Sequence, residues 1–141
     1  MIKNFDIKEL VCPHVAKKHS ETAWTWMDPR LKRFLEWFRQ EIDREVYVNS
    51  WDSGGKLSQR GLRCNMCSLV KEKKVTYNSA HIRFQAIDFN VKYMTDEAVV
   101  KWLIERKNDI PVNIRIEFST VGWIHIDVCN NTTDKIQFFK A

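Results

Sequence analysis

Residues 112–129 read Val112-Asn113-Ile114-Arg115-Ile116-Glu117-Phe118-Ser119-Thr120-Val121-Gly122-Trp123-Ile124-His125-Ile126-Asp127-Val128-Cys129. Two alternating runs flank a short connection. Successive side chains of a strand point to opposite faces, so an apolar residue at every second position marks a strand covered on one side. In the first run Val112, Ile114, Ile116 and Phe118 form the covered face, and Asn113, Arg115 and Glu117 form the other. In the second run Ile124, Ile126 and Val128 share one face, while Trp123, His125, Asp127 and Cys129 share the opposite one. Ser119-Thr120-Val121-Gly122 is short enough to close the two runs into an antiparallel hairpin.

Working outward, Ala86–Val91 reads as another strand, with Ile87, Phe89 and Val91 toward the core and Ala86, Asp88 and Asn90 away from it. Val46-Tyr47-Val48-Asn49 reads as a further short strand. Asp28-Pro29 opens a helix, because Asp28 can cap it and proline fits the first helical position. Leu31, Phe34, Leu35, Phe38 and Ile42 recur at helical spacing through about residue 44 and predict its buried stripe. Thr95 caps a second helix that carries Val99, Val100, Trp102, Leu103 and Ile104 and ends near Asn108, before Pro111. Residues 1–27 are mixed, and residues 50–78 form a long irregular stretch with Gly54, Gly55 and Gly61, a length that in a compact domain usually accompanies function. Helix, strand, loop, strand, helix and hairpin predict an α+β domain with a largely antiparallel sheet and flanking helices.

The chain has 141 residues, of which 44% are hydrophobic, with six Trp and eight Phe. That length suits one domain, residues 1–141, with a real core. No run of about 18 apolar residues occurs, so no membrane span is expected. The first residues, Met1-Ile2-Lys3-Asn4-Phe5-Asp6, hold no apolar signal region, which predicts synthesis in the cytoplasm, with later release to reach a cell wall. A net charge of +5 suits an acidic partner such as nucleic acid, an anionic membrane surface or an anionic wall polymer. The positive charge is dispersed, and its longest cluster, Lys71-Glu72-Lys73-Lys74, reads as a solvated loop, which disfavours nucleic acid. Nothing in the pattern sets an oligomeric state.

Chemistry concentrates in His81, Asp88 and His125. Two imidazoles and a carboxylate are donors that suit zinc, and three protein ligands leave a fourth position open, as in a catalytic site. The alternation sets Asp88, Glu117, His125 and Asp127 on non-core faces, so they converge if those faces line one cleft. A hydrolytic zinc site also needs a carboxylate that does not bind the metal and serves as general base. Glu117 is the candidate; Asp127 competes for that role or orients a ligand from behind. Cys64-Asn65-Met66-Cys67 is a C-x-x-C, but Cys12 and Cys129 stand far from it in sequence, so a zinc ribbon lacks its second pair. A basic nucleic-acid binder with a cysteine zinc is the reading that pair would support. His14 and His19 read as surface histidines.

Ser79-x-His81-x-x-x-x-Ala86-x-Asp88, then Glu117, then Trp123-x-His125-x-Asp127 resembles the zinc D-Ala-D-Ala carboxypeptidase superfamily. That group includes vancomycin-resistance dipeptidases, phage L-alanyl-D-glutamate endolysins and the metal-binding fold of hedgehog signalling domains. The resemblance covers about residues 46–129. It implies a hedgehog/DD-peptidase-like fold, Zn2+ on His81, Asp88 and His125, Glu117 as base, and hydrolysis of peptidoglycan stem peptides. Gln59-Arg60-Gly61-Leu62-Arg63-Cys64 looks like a segment of small phage-type and gut-bacterial members, for which a phage origin would explain a lytic enzyme without a signal. The family's Arg that grips the substrate carboxylate has no counterpart in Asn49-Ser50-Trp51-Asp52, so the resemblance passes that role to Arg60 or Arg63, with Ser79 supporting the site and Trp123 lining the groove. Trp24, Trp26 and Trp51 read as core residues or further groove walls. Phe84 stands where the family has glycine, and a phenyl ring there is expected to fill part of the groove. A non-catalytic, zinc-stabilised binding module of the hedgehog kind is the alternative that substitution raises.

Overall fold

The computed structural model describes residues 1–141. Short α1 (Ile7–Leu10) and α2 (Pro13–His19) are followed by a 3-10 segment, Ser20–Trp26, and then by α3 (Pro29–Ile42). Next come β1 (Val46–Tyr47), α4 (Ser68–Lys71), β2 (Ala86–Val91), α5 (Asp96–Glu105), β3 (Ile114–Glu117), β4 (Ile124–Asp127) and β5 (Ile136–Phe139). The sheet order is β1-β2-β4-β3-β5, antiparallel throughout except where β5 runs parallel to β3. The α+β class and the largely antiparallel sheet follow the sequence expectation. No helix is long and apolar enough to cross a membrane.

Local signals explain the main elements. Asp28 accepts the Arg30 N–H at 2.9 Å and Pro29 follows it, so α3 starts where the cap and the fixed proline φ agree. Leu31, Phe34, Leu35, Phe38 and Ile42 are all buried, as their spacing predicts. The helix ends at Ile42 rather than residue 44 because Asp43 turns left-handed, at φ +47°. Thr95 accepts the Ala98 N–H and caps α5, which stops at Glu105 before a 3-10 turn, Lys107–Asp109.

On the sheet, Ile87, Phe89, Val91, Ile114, Ile116, Ile124, Ile126 and Val128 join one buried cluster with α3. Two strands are shorter than their alternating runs. Phe118 escapes the core and is largely exposed, and the first strand stops at Tyr47. Phe38 is the hinge of the core, stacking on Phe34 and meeting Phe89 and Trp102 edge-on. The opposite face of β2, β3 and β4 carries Asp88, Glu117, His125 and Asp127.

Candidate metal centre

Asp88 and His125 are direct partners in the β2–β4 ladder. Their side chains leave the same face, and His125 Nδ1 lies 2.8 Å from Asp88 Oδ1. His81 arrives from the turn-rich segment before β2. There the Ser79 hydroxyl accepts the His81 backbone N–H at 3.2 Å. His81 Nδ1 lies 2.8 Å from the Gly61 carbonyl oxygen. A carbonyl can only accept, so Nδ1 carries the proton and Nε2 presents a lone pair. That Nε2 sits 3.3 Å from His125 Nδ1 and 3.3 Å from Asp88 Oδ1. Three donor atoms from three separate segments therefore face one point, and all three residues are buried.

His125 is oriented from behind. Its Nε2 donates to Asp127 Oδ2 at 3.1 Å, which leaves Nδ1 free for the shared point. Asp127 in turn accepts two hydrogen bonds from Arg115, at 2.8 and 2.9 Å, and one from the Cys129 N–H. Asp127 is thus the orienting carboxylate of the two alternatives raised by the sequence. Arg115 was not singled out from the sequence, although its position two residues before Glu117 on the same face was a usable signal.

The electrostatics agree with this donor set. Burial pushes the His125 imidazole down, but its hydrogen bonds to Asp127 and Asp88 outweigh that and lift it to about 9. Burial pulls Asp88 up, yet in the metal-free protein the His125 and His81 imidazoles, when protonated toward it, hold it well below the usual carboxylate range; a bound cation would take the place of those protons. Two carboxylates around one imidazole favour positive charge at this spot, which is also what a cation needs. Donors about 2.0–2.2 Å from zinc in a tetrahedron lie roughly 3.3–3.5 Å apart. The two 3.3 Å separations match, and the 2.8 Å one asks for a small side-chain rotation. The residues fit zinc.

An open cavity of about 420 Å³ is lined by His81, Asp88, His125, Ser79, Glu117 and Trp123. Glu117 sits at the end of β3, where the antiparallel register leads toward His125, and its Oε1 accepts from the Ser119 hydroxyl at 2.9 Å. Trp123 is partly exposed and also borders an adjoining cavity of about 400 Å³. Trp24, Trp26 and Trp51 line neither; Trp24 packs on the core and Trp51 donates to the Val11 carbonyl.

The two arginines separate. Arg63 lines both cavities and reaches Asp88 Oδ2 at 3.3 Å. It also donates to the Gln59 carbonyl and to the Tyr77 hydroxyl. Three of its five N–H groups are engaged, which leaves two for a ligand. Arg60 is committed to Asn90 Oδ1 at 2.7 Å and to the Val48 carbonyl, and it borders only the adjoining cavity.

Phe84 corrects the sequence expectation. Its backbone does take the left-handed conformation that suits glycine, at φ +53°. Its ring, however, is 1% exposed and belongs to the core cluster, and it lines neither cavity. The local backbone aims the Cβ at the core, so the groove stays open.

A second cluster lies outside this site. Cys12, His14, Cys64 and Cys67 bring four donor atoms within 4.8 Å of one another, a set that could bind a metal. Cys12 therefore is not isolated. The parallel bridge between Val11 and Leu62 carries it to the C-x-x-C across 52 residues of sequence. The local signal was Cys12-Pro13-His14, a thiol and an imidazole that complete a quartet with Cys64 and Cys67. Cys129 stays apart, beside Arg83 and Gln85.

Comparison of the chain with protein-family models, with curated proteins and with solved structures finds no match. The site itself defines a class: an α+β protein with a buried His-Asp-His donor set opening into a polar cavity.

Proposed function

We propose that the protein is a zinc metallopeptidase of the D-Ala-D-Ala carboxypeptidase and hedgehog-like superfamily, acting on peptidoglycan stem peptides. One observation carries the reading: His81 Nε2, His125 Nδ1 and Asp88 Oδ1 converge within 3.3 Å at the wall of a cavity also lined by a carboxylate outside the donor set, Glu117. The order and spacing of those residues match the resemblance noted from the sequence.

His81, Asp88 and His125 would hold the zinc, which would supply Lewis acidity toward a peptide carbonyl and toward water. The protein's own groups do the rest. Glu117 accepts the proton of the attacking water and returns it to the leaving amine. Arg63, with two N–H groups to spare, grips a substrate carboxylate. Asp127, clamped by Arg115, keeps the His125 tautomer fixed. Trp123 offers an aromatic wall where the two cavities adjoin. The net charge of +5 suits an anionic wall.

The test is turnover. Purified protein loaded with zinc is given muropeptides, and released D-alanine or cleaved stem peptide is measured by mass spectrometry, with Glu117→Gln as control. Product from the parent protein and its near-absence from the variant support the reading. Stoichiometric zinc at His81, Asp88 and His125 with no product from any wall peptide overturns it and leaves the non-catalytic binding module.

A further inference from the structure

We infer that Cys12, His14, Cys64 and Cys67 form a second, closed zinc site, one that locks the N-terminal helices to the loop carrying Arg60, Gly61 and Arg63. The inference does not depend on the hydrolytic reading.

The donor chemistry and spacing point to one metal. Three thiol sulfurs and one imidazole nitrogen are a structural zinc set with no open position. At a zinc–sulfur distance of about 2.3 Å, sulfurs on a tetrahedron lie about 3.8 Å apart. Cys12 Sγ and Cys64 Sγ are 3.6 Å apart, and Cys67 Sγ is 3.9 Å from His14 Nδ1. A disulfide needs a sulfur separation near 2.05 Å, so Cys12 and Cys64 are neighbours without being bonded.

The backbone is shaped for the same purpose. Cys64 opens a tight turn in which the Met66 N–H points at Cys64 Sγ at 3.4 Å, and the Cys67 N–H returns to the Cys64 carbonyl. Cys67 then leads directly into α4, whose Lys71 N–H bonds its carbonyl. On the other side, Cys12 precedes α2 and His14 lies in its first turn, so one short segment delivers both donors. The Cys12 N–H bonds the Leu62 carbonyl, and the Leu62 N–H bonds the Leu10 carbonyl.

The consequence reaches the first site. Between Leu62 and Cys64 sits Arg63, and one residue earlier sits Gly61, whose carbonyl fixes the His81 tautomer. Residues 51–78 hold few regular elements and few core residues. A four-ligand clamp would supply there the rigidity that the thin hydrophobic packing does not.

The experiment uses the full chain, freed of any metal-binding tag and loaded with cobalt(II) under reducing conditions. Cobalt bound by several thiolates gives an intense near-ultraviolet sulfur-to-metal charge-transfer band, which the His81–Asp88–His125 site, having no sulfur, does not give. We expect the band in the parent protein, with two metal equivalents by elemental analysis. His125→Ala should keep the band and lose one equivalent. Cys67→Ser should lose the band and the other equivalent, and Cys129→Ser should keep both. A parent protein without the band overturns the inference whether or not the serine variants fold. So does a band that survives Cys67→Ser, or a Cys12–Cys64 disulfide found by mass in protein purified without reductant.

Discussion

Arg115 holds Asp127 with two parallel hydrogen bonds across the β3–β4 ladder, where the two residues are register partners. The pair is the outer support of His125. Replacing Asp127 with Asn keeps the shape but weakens the acceptor facing Nε2 and leaves the Arg115 guanidinium without a charge partner. Zinc affinity at His81, Asp88 and His125 should fall about 10–100-fold. Chelator competition against a zinc indicator measures it; affinity unchanged within error would show that Asp127 does not orient the ligand.

Glu117→Gln separates binding from chemistry. Glu117 is not among the converging donors, so metal content should stay at the parent value. Hydrolysis of muropeptides should drop by about 10²–10⁴-fold, the usual contribution of a positioned general base. Parent-like turnover in this variant would remove Glu117 from the mechanism.

Phe84 gives a prediction in the opposite direction from its sequence reading. Phe84→Ala should destabilise the fold by about 3–5 kcal/mol, because the ring is buried in the core. Phe84→Gly relieves the left-handed backbone but still empties the core, so it too should melt lower. Neither should widen the groove. A gain in kcat/KM for either variant would place the ring in the substrate's path after all.

Gly61→Ala tests the contact between the N-terminal segment and the site loop. A Cβ at Gly61 would collide with the Leu10 carbonyl oxygen, and backbone has to move to admit it. A cost of about 1–3 kcal/mol is expected, as for other overpacked sites. Urea melts of the apo and zinc-loaded forms measure it, and an unchanged midpoint would show that the loop adjusts freely.

Asp28 sets an acid limit. Hydrogen bonds from Arg30 lower its carboxyl, against the opposing effect of burial, to about 2. A depressed carboxylate stabilises the fold above its unfolded value of 3.8 and loses that contribution as pH falls through about 2. The stability gap between the parent protein and Asp28→Asn should therefore be full at neutral pH and close as pH drops from about 4 toward 2. Denaturant melts across that range, with chelator in both samples, measure it. A gap that does not vary with pH would mean that Asp28 acts only through its shape as a cap.

These residues show what the sequence made legible. Asp88, Glu117, His125 and Asp127 could be placed on non-core faces because strand alternation is a local rule, whereas His81 comes from a turn segment that alternation does not reach. Their convergence follows from β2–β4 and β3–β4 pairing, which the hairpin signal half supplied. The Cys12–His14 quartet was hidden because its closure depends on a single parallel bridge between distant loops, a tertiary event with no periodic signature. Phe84 was misread for a related reason. Its left-handed backbone was legible as a glycine-like position, but the direction of its Cβ is set by the turn geometry of the His81 loop. Strand β5 went unread because Ile136-Gln137-Phe138-Phe139 is short, and a parallel edge strand gains its partner only from the finished sheet.

The ladder pairing of Asp88 with His125 also has a kinetic meaning. Two of the three donors are brought together by backbone hydrogen bonds, between segments 37 residues apart. Such non-local pairing forms late and slowly compared with helices. A chain still being made, or one that has folded only α3 and its neighbours, therefore has no high-affinity place for the ion. The metal uptake proposed for this site would then act as a clock for completion of the sheet, ticking only once residue 125 has been synthesised and has found residue 88.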